Sequence, residues 1–133
     1  MAGETTLSEL IRGMAPKLNK GAYVFCSVKD ISKIGRNDTL LEFKETEGIT
    51  VVIEKNKADA LHLRYNFVAS WITLTVHSAL EAVGLTAMFA AALAKNNISC
   101  NVVAGYYHDH IFVNQKDGKK AMIVLTELSK SNV

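Results

Sequence analysis

Four histidines and two cysteines are the side chains of this 133-residue chain with the most chemical reach. The run Tyr106-Tyr107-His108-Asp109-His110 sets two imidazoles two residues apart. Alternate side chains of an extended strand share a face, so Tyr106, His108 and His110 are expected together, with Asp109 and Tyr107 on the other side. Two imidazoles so placed can share a metal ion, with His77 as a third nitrogen donor if its strand lies alongside. Histidines that are structural at a hairpin, or that form a pH-sensitive interface contact, are the competing readings. His108 and Asp109 do not make a catalytic dyad, because neighbours in a strand point apart. Cys26 and Cys100 sit in strand-like runs without Cys-x-x-Cys spacing and read as small buried hydrophobes, with no disulfide in a cytoplasmic protein.

The stretch from Val76 to Thr86 carries a different chemistry. A strand-to-helix loop that ends in Gly84 lets a ligand approach backbone amides closely, and the N-terminus of the following helix favours a carboxylate. Ser78 suits that carboxylate and Glu81 suits an ammonium group. The plainer reading makes Glu81 a solvated carboxylate, Ser78 a turn former and Gly84 the tight start of a helix. Catalysis finds little support. The chain lacks a Ser-His-Asp set with nucleophile-elbow glycines, a phosphate-cradling glycine loop with its lysine, and a carboxylate pair at a recognisable spacing. No catalytic residue, metal or cofactor is assigned.

These residues need elements to hold them. Thr6 and Glu9 form a capping box for a helix over 6–14 with Leu7, Leu10, Ile11 and Met14 on one face, ended by Gly13 and Pro16. Strands are predicted at 23–28, 39–45 and 49–54, then a short helix at 57–63 capped by Asn56. The second half reads as strand 69–77, helix 84–96, strands 98–106 and 108–114, and helix 117–130. Leu85, Met88, Phe89, Ala92 and Leu93 share one face of its first helix; Ala121, Val124, Leu125 and Leu128 share one face of its last. Trp71 and Phe89 are read as core. Ile49–Leu61 and His110–Met122 echo each other as strand, polar turn and helix, a faint repeat at a spacing of about 61 residues.

Residues 81–103 resemble the ACT domain, a small-molecule sensor fold attached to many enzymes of amino-acid metabolism. The apolar-Gly-apolar-Ala element is Val83, Gly84, Leu85 and Ala87; the helix ends in Leu93-Ala94, and Ile98 opens the next strand. Together with residues 101–113 this stretch is similar to compact bacterial proteins built of two ACT-like halves. The resemblance implies an α+β fold of tandem ferredoxin-like ACT domains, antiparallel sheets with helices packed on one face, divided here as 1–66 and 67–133. It nominates His77, Ser78, Leu80, Glu81, Val83, Gly84, Leu85 and Thr86 in the loop, and Asn101 and Val103 on the next strand, as ligand-binding residues; His108 and His110 join them from the hairpin. The second half shows no last strand after residue 130, so its edge must come from the other half, from residues 63–68 or from a partner chain.

Composition narrows the partners. A net charge of +2 and a pI near 8.5, without basic clusters interleaved with aromatics, argue against nucleic acid. The longest apolar run, 82–94, is too short to span a bilayer, and the N-terminus lacks a signal-like basic start and apolar region, so a cytoplasmic location is expected. Residues 1–66 hold 10 Lys or Arg and 9 Asp or Glu, whereas residues 67–133 hold 5 and 4. The weakly charged, alanine-rich helix is therefore expected to pack on another domain or subunit, giving a homo-oligomer. The expected function is binding of a small molecule, an amino acid, by a regulatory protein without catalysis of its own. The ligand acts at a domain or subunit interface that a separate partner reads in trans. An interaction module without a ligand, or a metal-binding protein using the His-Asp-His hairpin, is the alternative.

Overall fold

The computed structural model describes residues 3–75 and 84–130. They fall into two compact units: residues 20–69 form one, and residues 1–19 with 70–133 form the other.

The discontinuous unit begins with α1 (Gly3–Gly13) and β1 (Pro16–Leu18), and continues through β5 (Val68–Leu74), α3 (Leu85–Lys95), β6 (Asn101–Ala104), β7 (Asp109–Asn114) and α4 (Gly118–Lys130). Helix α3 forms because Leu85, Phe89 and Leu93 recur every four residues and are all buried. Ala121 and Leu125 do the same for α4; Ile11 is buried on α1, and Met14 is buried just past its end. All pack with Ile72, Leu74, Ile111 and Val113 in one core between the helices and the sheet. The edge that the sequence left unfilled is taken by β1, which pairs antiparallel to β5 with Pro16 opposite Leu74 and Leu18 opposite Ile72. Pro16 suits the start of such a short strand, since it donates no ladder hydrogen bond. On the other side, β6 and β7 form an antiparallel hairpin with Asn101 opposite Phe112 and Val103 opposite His110.

The continuous unit contains β2 (Tyr23–Val28), β3 (Thr39–Lys44), β4 (Ile49–Glu54) and α2 (Lys55–Ala60), and it ends with the first residues of β5. The strand order β3-β4-β2-β5 is antiparallel throughout, with Val24 opposite Ile53 and Tyr23 opposite Ala69. Val24, Cys26, Ile34, Val51, Ile53 and Ala58 make its core. Residues 29–38, read in the sequence as a charged loop, contain two 3-10 turns, Ile31–Lys33 and Arg36–Asp38.

Several local expectations shift. Helix α1 starts at Gly3, so Thr6 lies inside the helix and not at its cap. Helix α2 follows β4 directly with Glu54 at the cap position, displacing Asn56; Lys55 N–H donates to Ala22 O at 2.8 Å and its ammonium meets Asp59 at 3.0 Å. It stops at Ala60 because His62 takes a left-handed φ of 57° and Leu63 N–H folds back to Ala58 O at 2.9 Å. The hairpin strands are shorter than predicted because Gly105 N–H closes a turn onto His108 O at 2.9 Å.

The candidate ligand site on the α3 junction and the β6–β7 hairpin

Gly84 sits at the cap of α3 with φ 97° and ψ −21°, a left-handed conformation that a residue with a Cβ rarely adopts. A Cβ there would also come within 3.3 Å of the Leu7 side chain. Among the described residues no side chain caps this helix, and the first helical bond from inside is Met88 N–H to Gly84 O at 3.0 Å. The N–H groups of a helix's first turn can hold an anion in the manner that a helix N-terminus offers. The Leu85 side chain belongs to the core, which leaves its backbone for contact, whereas Thr86 is exposed. His77, Ser78, Leu80, Glu81 and Val83 lie outside the described residues.

The hairpin carries the other candidate residues, on the other face of the sheet. Paired residues of an antiparallel ladder share a face, so Asn101, Val103, His110 and Phe112 are brought together on the side of the sheet opposite the helical core. Two residues of β5 join them. Trp71 Nε1 donates to His110 Nδ1 at 3.0 Å, and Thr73 Oγ1 lies 3.1 Å from the same nitrogen. Asn19 donates from Nδ2 to Thr73 Oγ1 at 2.9 Å and to the Trp71 carbonyl at 3.2 Å. Asn101 Nδ2 donates to Phe112 O at 3.3 Å, which pins the amide along the edge strand. Since Trp71 can only donate, Nδ1 of His110 is the acceptor and its neutral ring carries the proton on Nε2. Burial, reinforced by the neighbouring His108, pushes the His110 pKa down from its ordinary value, and burial pushes Asp109 up.

Two expectations about this run are corrected. Tyr106 and Tyr107 are not strand residues with alternating faces. They form the exposed tip of the turn, at 77% and 65% exposure, with rings meeting edge-on at 5.1 Å. Trp71 is half-buried and tied to His110, its ring 6.5 Å from that of Phe112, and it is not in the helical core where Phe89 lies. Nδ1 of His108 is buried and has no hydrogen-bond partner among the described residues. A Cβ on Gly105 would stand 2.8 Å from His108 O and 3.2 Å from His110 Nε2, so only glycine admits this close approach of turn and ring.

His110 Nδ1 is occupied by Trp71, and among the described residues no group of three His, Cys, Asp or Glu side chains stands close enough to hold a metal ion. The cysteines lie apart from this chemistry: burial pushes the Cys100 thiol up to about 11 and raises Cys26 as well. Sequence reasoning passed over Asn19, Trp71 and Thr73. The polar Thr73 and Asn19 beside apolar runs gave a weak signal, but only the pairing of β1, β5 and β7 joins them to His110.

Comparison with known proteins settles the family. Family models of the ACT domain match residues 2–70 and, separately, residues 66–127. The chain belongs to the ACT domain family. It carries two ACT domains in tandem, in an α+β fold with antiparallel sheet and, among the described residues, four α-helices. A Vibrio cholerae protein of unknown function, described as a possible transport protein, is 45% identical with a TM-score of 0.86, covering 96% of this chain and 99% of that one. Two aspartate kinase structures share the fold at low identity. The Thermus thermophilus regulatory subunit gives a TM-score of 0.58 at 7% identity, over 85% of this chain and 95% of that one. Escherichia coli aspartokinase III, in complex with aspartate and ADP, gives 0.60 at 11%, over 92% and 34%. A search of curated protein sequences finds no match. ACT domains are small-ligand-binding regulatory modules, and neither family model that matches is that of an enzyme. Among the described residues no helix is long and apolar enough to cross a membrane.

Proposed function

We propose that this tandem ACT protein is a regulatory amino-acid sensor without catalysis of its own. The ligand carboxylate is held at the start of α3 by backbone amides around Gly84, Leu85 and Thr86, with Ser78 beside them, and Glu81 receives the ammonium group. His77, Leu80 and Val83 shape the loop, and Asn101, Val103, His108 and His110 supply the wall opposite from a second copy, because within one chain Asn101, Val103 and His110 face away from the side on which α3 packs. The observation that carries this reading is the left-handed Gly84 opening a helix that no described side chain caps. The two aspartate kinase folds lend it support, since one of them is a regulatory subunit and the other holds aspartate.

Binding at an interface of domains or subunits favours one of their arrangements, and a separate partner reads that arrangement. The exposed alanines 87, 91 and 94 of α3 suit a homo-oligomeric contact, and a cytoplasmic location fits the free cysteines. The two ACT-like domains of this reading are 1–66 and 67–133, with the ligand loop in the second.

A thermal-shift panel of the twenty amino acids tests the reading. A ligand that binds only the folded state raises the melting temperature by mass action. The expected result is a saturable rise with one amino acid, lost in Glu81→Ala. A flat panel overturns the sensor and leaves a module that acts through protein contacts alone.

A further inference from the structure

The same order of elements recurs in the two units, but the layer over the sheet differs. After β5 the connection to the next strand contains the eleven-residue α3; after β2 the corresponding connection, residues 29–38, contains only the two 3-10 turns. In that segment Ile34 alone is buried. Beside it opens a cleft of about 360 Å³, within the range of small-molecule sites. Val28, Ile34, Leu61 and Leu63 form its apolar wall. Leu61 is 39% exposed, and the left-handed turn at His62, costly for a residue with a Cβ, lets both flanking leucines line the cleft.

Lys29, Asp30 and Lys33 stand on the rim. Asp30 accepts a hydrogen bond from Ser32 N–H at 2.9 Å, while Lys29 donates to the neutral carbonyl of Glu47 at 2.9 Å. Lys33 makes no hydrogen bond or close ion pair among the described residues, and its ammonium acts on Asp30 only through the field between them. Two ammonium groups against one carboxylate leave the rim with one net positive charge. An apolar wall under a cationic rim suits a molecule with an alkyl body and a single negative end.

We propose that this cleft is a binding site for a small aliphatic carboxylate, its chain on Leu61, Leu63, Ile34 and Val28 and its carboxylate on Lys33. The site lies in the unit without the Gly84 loop and does not rest on the amino-acid reading. Titration of the ¹⁵N-labelled full chain with hexanoate, followed by amide chemical shifts, is the test. Saturable shifts are expected at residues 29–34 and 61–63. Lys33→Met and Leu61→Asn, both at exposed positions that leave the rest of the spectrum unchanged, each weaken binding about three- to tenfold. Hexanamide, which keeps the chain and removes the charge, binds weaker than hexanoate by a similar factor. Absence of shifts at these amides, equal binding of hexanamide, or unchanged affinity in Lys33→Met overturns the proposal.

Discussion

The two units run through one topology and differ in how they cover it. In each, a first strand leads through a connection to a hairpin and then to a helix: β5, α3, β6, β7 and α4 in the discontinuous unit, and β2, the 3-10 turns, β3, β4 and α2 in the other; the strand beside the first comes from earlier in the chain in the discontinuous unit, β1, and from after α2 in the other, the start of β5. Among the described residues the discontinuous unit has three helices of 11, 11 and 13 residues over its sheet, and its buried core holds twelve residues. The continuous unit has one helix of six residues and a core of six. A shared order of elements therefore does not entail a shared layer above the sheet. Where the connection is apolar every third or fourth residue it becomes a helix and fills the space; where it reads Lys-Asp-Ile-Ser-Lys-Ile-Gly-Arg-Asn-Asp it makes short turns and leaves a cleft.

Core truncation probes this contrast most strongly. Phe89→Ala, at a fully buried position of α3, is expected to destabilise by about 3–5 kcal/mol, whereas Ile34→Ala at the 3-10 turns falls near the lower end of about 2–5 kcal/mol because a short irregular turn collapses more readily than a packed helix. Urea denaturation of both variants measures the difference, and equal losses would break the comparison. Next in size is Gly105→Ala, whose Cβ meets the His108 carbonyl at 2.8 Å; a loss of about 1–3 kcal/mol is expected from the forced shift of the turn. A melting temperature unchanged in that variant would show that the turn is free to move.

Acid stability sharpens the comparison further, since the discontinuous unit holds the half-buried His110 network. Its folded pKa lies below the ordinary 6.5, so as pH falls the unfolded chain takes up the proton first. The neutral ring's contribution is complete above about pH 6.5 and declines as pH falls through the window beneath it. Asp109, raised by burial above 3.8, acts in the opposite sense: the folded chain keeps its proton longer, so stability falls as pH rises through the window just above 3.8. Denaturation midpoints across pH should lose the upper slope in His110→Asn and the lower one in Asp109→Asn. The smallest effect expected is on thiol alkylation. Cys100, pushed up to about 11, should react with iodoacetamide at pH 8 more slowly than a free thiol in the unfolded chain, and mass spectrometry of the native and denatured protein reads the ratio.

Much of this was legible in the residues. The four-residue recurrence of Leu85, Phe89 and Leu93 specifies a helix and its buried face, and the glycine before it marks where that helix opens. Strand β2 spans Tyr23–Val28 as the run Tyr-Val-Phe-Cys-Ser-Val predicts. The faint echo between residues 49–61 and 110–122 corresponds to β4–α2 and β7–α4, which hold equivalent places in the two units. Such signals are local: they depend on which side chains recur within a few residues, and any window of the sequence displays them.

What the sequence could not display were relations between distant windows. Three residues, Pro16–Leu18, are too short to announce a strand, yet they complete the sheet because β5 offers an open edge more than fifty residues away. The tetrad of Asn19, Trp71, Thr73 and His110 joins three separated segments, and no spacing rule connects them. By itself the sequence determined the family, the helical faces and the glycine that opens α3, because periodicity and turn chemistry are properties of neighbours. The tertiary structure alone decided which edge β1 fills, which nitrogen of His110 is an acceptor, and where a cleft stays open, because pairing and burial depend on what the rest of the chain brings alongside.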